Sequence, residues 1–175
     1  FLAGEIEKKK LYLKSQDYFD KNNIHITRDC KVVAIDRNKR TILLENQKQL
    51  GYKKLIIATG SIVKKLKTNG NETDLYYLRT INDSLKIREK LRKDNNITIV
   101  GAGYIGLEIA SVAIKKNLQV KILEMENRVM SRAVSSEVSD FFQKKHQSEG
   151  VKFKLNTFIT DIEDDGKQKK IICND

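Results

Sequence analysis

Thr98–Ala110, TIVGAGYIGLEIA, sets glycines at 101, 103 and 106 between a β-branched run and an apolar helical one. That order reads as a strand, a tight turn and a helix. The three glycines have separate uses. Gly101 permits the turn, Gly103 lets the backbone approach a pyrophosphate closely, and Gly106 lets the helix pack against the strand. The free amides at the helix start, with roughly half a unit of positive charge from the helix dipole, would face the phosphates. Plain strand-to-helix turns also use glycine, so the context decides.

That context is a second strand, Gln119–Leu123, ending on Glu124, 23 positions after Gly101. A dinucleotide fold needs an acid about 20 residues past its loop to bind the ribose hydroxyls. Glu124 supplies it. The same carboxylate repels a 2′-phosphate, and Met125 and Glu126 follow it where an NADP site wants arginine. NADH is therefore favoured over NADPH, with Arg128 and Arg132 nearby in sequence.

Downstream, Val134–Gln147 predicts a helix and Val151–Leu155 a third strand, while Phe158–Glu163 and Lys170–Cys173 flank the hairpin signal DDGK. Upstream, Leu75–Arg92 predicts a connection and an amphipathic helix capped by Asn82 or Asp83, with Leu85, Ile87 and Leu91 apolar. KKLIIATGS, Lys53–Ser61, is a continuous apolar run that predicts a strand buried on both faces of a parallel sheet. Ser15–Asn22 predicts a short helix, followed by strand-like alternation at Ile24 and Ile26, at Val32, Val33 and Ile35, and at Ile42–Leu44.

These segments repeat. At an offset of 127, Ile24 falls on Val151, Val32 on Ile159, Ile35 on Ile162 and Asp36 on Glu163. Each copy follows a helix with an Asp-aromatic-aromatic triplet, Asp17-Tyr18-Phe19 or Asp140-Phe141-Phe142. The expected fold class is α/β, with two Rossmann-like dinucleotide-binding folds, three-layered with a β-meander and both incomplete. The first is expected to lack its glycine loop ahead of Phe1 and the second its last strand after Asp175. The expected division is residues 1–80 for the partial first dinucleotide-binding domain, 81–96 for a connecting helix and 97–175 for the truncated second one.

The formal charge of +11 raises nucleic acid or an anionic membrane as partners. Its distribution argues against both, because lysine pairs recur all along the chain, from Lys9-Lys10 to Lys169-Lys170, without clustering. Cys30 and Cys173 stand far apart with no CxxC spacing, so neither a disulfide framework nor a metal site is indicated, and a reducing, cytoplasmic setting is expected. No apolar run approaches the roughly 18 residues of a membrane span.

GAGYIGLEIA, ILEMENRVMSRAVSSEVSDFF, KKLIIATGS and YLRTINDSLKIREKL, with the opening FLAGE and LYLKSQDYF, together resemble the NADH-dependent ferredoxin and rubredoxin reductases of the two-dinucleotide flavoprotein superfamily. The resemblance spans nearly the whole chain. It implies that residues 1–80 are part of an FAD-binding domain and 97–175 an NAD-binding domain, with FAD on the first fold, NADH on the second, and transfer of electrons to a small iron–sulfur protein, a ferredoxin or rubredoxin. By position, Val32 would meet the FAD adenine through its backbone, the Ala58-Thr59-Gly60 turn would pass near that cofactor, and Arg79 would reach toward it. Tyr104 matches an aromatic that covers the flavin, and Glu108 a carboxylate near the flavin and nicotinamide rings, the two residues assigned to the reaction. Ile105 and Arg132 complete the cofactor-binding set beside Gly101, Gly103, Gly106 and Glu124.

Plainer roles stand beside these. Val32 is also a strand residue, Arg79 a surface cation and Tyr104 a loop aromatic. Glu108, amid Ile105, Leu107, Ile109 and Ala110, would be costly to bury without a purpose or partner. His25 and His146 read as structural or solvated. The sequence departs from the family after ATGS, where IVKKLKTNGN carries none of the usual prolines. Two other functions use the same features: a disulfide reductase, which needs an upstream CxxxxC pair, and an apoptosis-factor-like NAD-binding flavoprotein with a non-enzymatic binding role. This stretch by itself is expected to be inactive.

Overall fold

The computed structural model describes residues 1–66, 74–91, 96–164 and 169–174. They fall into two compact units, Lys8–Ser61, and Ile62–Asp175 together with Phe1–Glu7. Among the described residues no helix is long and apolar enough to cross a membrane.

In Lys8–Ser61 a 3-10 turn (Lys8–Leu11) and helix α1 (Gln16–Lys21) precede an antiparallel meander of β1 (Val32–Asp36), β2 (Thr41–Leu44) and β3 (Gln49–Gly51). The third strand was not expected. Leu44 is buried, while Val32, Val33 and Ile35 stay exposed.

Two strand expectations fail here. Ile24–Ile26 and Lys53–Ser61 form no strand, and Ile56 is 88% exposed. An apolar run states that a segment suits a buried ladder, but a ladder also needs a neighbour, and no described segment pairs with either.

The other unit begins with α2 (Ile81–Lys90), whose N-cap is Thr80 in place of the expected Asn82 or Asp83. Asp83 closes a capping box instead: its amide donates to Thr80 Oγ1 at 3.1 Å, and its carboxylate accepts from the Thr80 amide at 2.7 Å. Threonine three residues ahead of an acid satisfies two orphan amides at once, which an Asx cap alone does not.

Next come β4 (Asn96–Val100), α3 (Tyr104–Lys115), β5 (Gln119–Leu123), α4 (Ser136–Ser148) and β6 (Lys152–Lys154). The strands lie parallel in the order β4-β5-β6, each crossover carried by a helix, which is the opening half of a doubly wound α/β sheet. Apolar residues of both layers make the core: Leu107, Ala110 and Ala113 of α3 meet Ile99, Val120 and Ile122 of the sheet, with Ile87 and Leu91 beside them. Small residues on α3 let the helix lie close to the strands. The antiparallel pair β7 (Ile159–Asp164) and β8 (Lys169–Cys173) follows. Residues 165–168, with most of the hairpin signal DDGK, and 67–71 of the proline-free stretch lie outside the described residues.

The repeat extends to backbone detail. At the same offset of 127, α4 ends at Ser148 where α1 ends at Lys21, and β7 begins at Ile159 where β1 begins at Val32. Left-handed residues coincide, Asn23 (φ 53°) with Gly150 (φ 99°) and Asp29 (φ 52°) with Asn156 (φ 50°). The register shifts coincide as well, between Val32 and Ala34 and between Ile159 and Asp161. Both helices exit through the same bond, Ile24 N–H to Phe19 O at 2.9 Å and Val151 N–H to His146 O at 3.0 Å. The aromatic pairs Tyr18–Phe19 and Phe141–Phe142 are both edge-to-face, one helical turn out of this register.

The capping box has a pH signature. Bonds from the Thr80 hydroxyl and amide, and from the Arg79 amide, hold the Asp83 carboxyl below the usual carboxylate range. A depressed folded value means the box contributes above about pH 4, the ordinary aspartate value, and is lost as pH falls through the lower one. Protection of the Arg79 and Thr80 amides against exchange, relative to their intrinsic rates at each pH, should therefore fall in acid, and Asp83→Asn should remove that dependence.

Candidate dinucleotide site at the glycine loop

Gly101 turns the chain at the end of β4 with φ +98°, where a side chain would be strained, and its amide donates to Leu123 O at 2.8 Å. Ala102 is fully buried: its amide donates to Glu124 Oε2 at 2.6 Å and its carbonyl accepts from the Met130 amide at 2.9 Å. Gly103 is the N-cap of α3 and no side chain caps that end. A Cβ on Gly101 or Gly103 would meet nothing within 4 Å. A Cβ on Gly106 would stand inside the Gly101 carbonyl. The loop thus pairs open space above its amides with tight packing beneath them.

Glu124 is buried at the end of β5, on the side of the loop. Its second oxygen, Oε1, accepts from the Glu126 amide at 2.9 Å. Its own backbone amide donates to Lys154 O at 2.9 Å and its carbonyl accepts from the Thr157 amide at 2.8 Å, so β6 and the segment after it lock the residue in place. Arg128 donates to the carbonyls of Ser131 (2.7 Å), Val134 (3.0 Å) and Ser135 (3.4 Å). Arg132 pairs with Glu126 at 2.9 Å.

Along α3, Tyr104, Ile105 and Glu108 are exposed, and Tyr104 and Glu108 lie one turn apart on the same face. Glu108 thus avoids the cost that burial among its apolar sequence neighbours would carry. Leu107, Ala110 and Ala113 take the inward stripe, and the helical period carries position 108 outward. Val32, Ala58, Thr59 and Gly60 lie exposed in the Lys8–Ser61 unit, with Gly60 at φ 72° turning the chain. Arg79 is exposed just ahead of Thr80 in the other unit. His146 is half-buried on α4, and that burial pushes its pKa below the usual histidine value.

An open cleft of about 1000 Å³ is lined by Val100, Gly101, Gly103 and Tyr104 and by the polar cluster of Asp74, Tyr76 and Lys90. There the Tyr76 hydroxyl donates to Asp74 Oδ1 at 2.9 Å, which, with Lys90 at 3.3 Å, holds the Asp74 carboxyl below its usual range.

This chemistry suits an anion at the α3 N-terminus and a hydroxyl-bearing sugar at Glu124. Among the described residues no group of three or more His, Cys, Asp or Glu side chains could hold a metal ion. A family model described as pyridine nucleotide-disulphide oxidoreductase matches residues 3–175. The chain belongs to that family. Putidaredoxin reductase of Pseudomonas putida is 34% identical over the whole chain, which covers 43% of that relative. Rubredoxin-NAD(+) reductase of Pseudomonas putida is 33% identical over 93% of the chain and 42% of its own length. A solved covalent putidaredoxin reductase–putidaredoxin complex superposes with a TM-score of 0.86 at 33% identity, covering 98% of this chain and 43% of that one. The chain thus spans about two fifths of the length of these pyridine nucleotide-disulphide oxidoreductases.

Three groups escaped the sequence reading: the Ala102–Glu124 clamp, the Arg128 brace and the Glu126–Arg132 pair. Only the density of charge in EMENR hinted at them. Gly106→Ala tests the tight packing under the loop. Backbone, not a movable side chain, stands in the way, so overpacking should cost about 2 kcal/mol of unfolding free energy by urea denaturation.

Proposed function

We propose that the protein is an FAD-dependent NADH oxidoreductase that passes electrons to an iron–sulfur protein of the ferredoxin or rubredoxin class. What supports this reading is the glycine loop with the Glu124 carboxylate held directly against it, together with relatives named as reductases of putidaredoxin and rubredoxin. Residues 97–175 would be the NADH-binding part, 81–96 a connecting helix, and 1–80 part of the FAD-binding fold. Cys30 and Cys173, both free and far apart in sequence, fit a reducing, cytoplasmic setting.

When bound, the two cofactors supply hydride transfer from nicotinamide to flavin and single-electron release. This chain's residues would hold and orient them. Amides of Gly103, Tyr104 and Ile105 at the start of α3 would take the pyrophosphate, with Gly101 and Gly106 shaping the turn. Glu124 would accept from the adenosine ribose through lone pairs its two amide bonds leave open. Tyr104 would cover the flavin, and Glu108, one turn on and solvent-facing, would sit near the reacting rings. Val32, Ala58, Thr59, Gly60 and Arg79 would contact FAD.

The chain titrated with NADH, followed by nicotinamide fluorescence, should saturate and be displaced by ADP-ribose. Glu124→Ala removes a charged acceptor worth about 1.5–3 kcal/mol, so affinity should fall about ten- to a hundredfold. The longer polypeptide should oxidise NADH with ferredoxin or rubredoxin as acceptor. Absent saturation, wild-type affinity in Glu124→Ala, or no turnover with any acceptor would overturn the reading.

A further inference from the structure

The dinucleotide reading leaves Glu126 without a role and gives Arg132 no more than a place in the cofactor-binding set, although Glu126 bonds to the ribose-facing carboxylate and Arg132 pairs with Glu126. We propose that Glu126, by holding Arg132, makes this site choose a free 2′-hydroxyl over a 2′-phosphate on the adenosine ribose. The inference rests on the proposed dinucleotide site and adds its selectivity.

A site that binds a 2′-phosphate needs a cation free to meet it. Two arginines follow Glu124, and neither is free. The Arg128 guanidinium is committed to the carbonyls of Ser131, Val134 and Ser135, and turning it outward would leave those acceptors and unbrace the entry to α4. Arg132 is different. Its side chain is 79% exposed, and its guanidinium reaches Glu126 Oε1 at 2.9 Å.

The pair is tied to the ribose corner by backbone, since the Glu126 amide donates to Glu124 Oε1 at 2.9 Å. That corner therefore sets two carboxylates beside the one guanidinium that reaches toward solvent, where a 2′-phosphate would bring further negative charge. An exposed ion pair is weak, so geometry does not lock Arg132 away. Charge balance does: any phosphate drawing Arg132 off would leave Glu126 uncompensated beside it. Neutralising Glu126 removes one repelling charge and releases one attracting charge together.

The test measures binding, with turnover left aside. Dissociation constants of NADH and NADPH, and of ADP-ribose and its 2′-phosphate, are compared by calorimetry for wild type, Glu126→Gln and Glu126→Gln with Arg132→Met. Wild type should prefer the nucleotides without the 2′-phosphate. Glu126→Gln should narrow the ratio about tenfold, chiefly by tightening the 2′-phosphate compounds, and Arg132→Met should cancel that gain. An unchanged ratio in Glu126→Gln, or a gain that survives loss of Arg132, overturns this inference while the dinucleotide site stands. A wild-type chain that binds none of the four overturns the site itself and the inference with it.

Discussion

The carboxylate of Glu124 reaches from the end of β5 to the amide of Ala102 in the glycine loop, and back to the amide of Glu126. Burying an ionised carboxylate without partners costs several kcal/mol, so these two short bonds are a condition of its being there. Each charge-assisted bond contributes about 1.5–3 kcal/mol, and both are strongest where water is excluded. The result is mechanical as well as electrostatic. One side chain ties the turn after β4 to the turn after β5 and so sets the height of the loop over the sheet. The Met130 amide on the Ala102 carbonyl completes the tie from a third segment.

Gly106 works on the same junction from below. Because its missing Cβ lets α3 sit against the Gly101 carbonyl, the helix axis aims its uncapped first turn into the open space at Gly103. Partial positive charge is thus presented where no side chain competes for it. Polar clamp and steric vacancy together leave the uncapped amides of this strand-to-helix connection facing open space, with the Glu124 carboxylate fixed beside them, which is the arrangement the proposed dinucleotide site requires.

The sequence was most legible where rules are local. The β4-α3-β5 unit, the turn at Gly101 and the packing at Gly106 follow from short-range pattern, and the 127-residue repeat persists into matching left-handed residues and register shifts. Legibility failed where a residue's state depends on distant neighbours. Lys53–Ser61 has the composition of a central strand, yet no described segment pairs with it. Glu108 stands among apolar letters in the sequence and faces outward once the helical period is drawn. At the site, the acid and its distance from the loop were readable. That its two oxygens are bonded to Ala102 and Glu126, and that Arg128 braces carbonyls, depends on backbone positions the letters do not encode.

The central claim is spatial: phosphates at the start of α3, adenosine ribose at Glu124. Amide chemical-shift mapping by ¹H–¹⁵N NMR, with ADP-ribose titrated into the chain, tests it residue by residue. The account predicts the largest shifts at Ala102–Ile105 and at Glu124–Glu126, moving together along one saturation curve. Shifts centred elsewhere, with these amides unmoved at saturation, would contradict it.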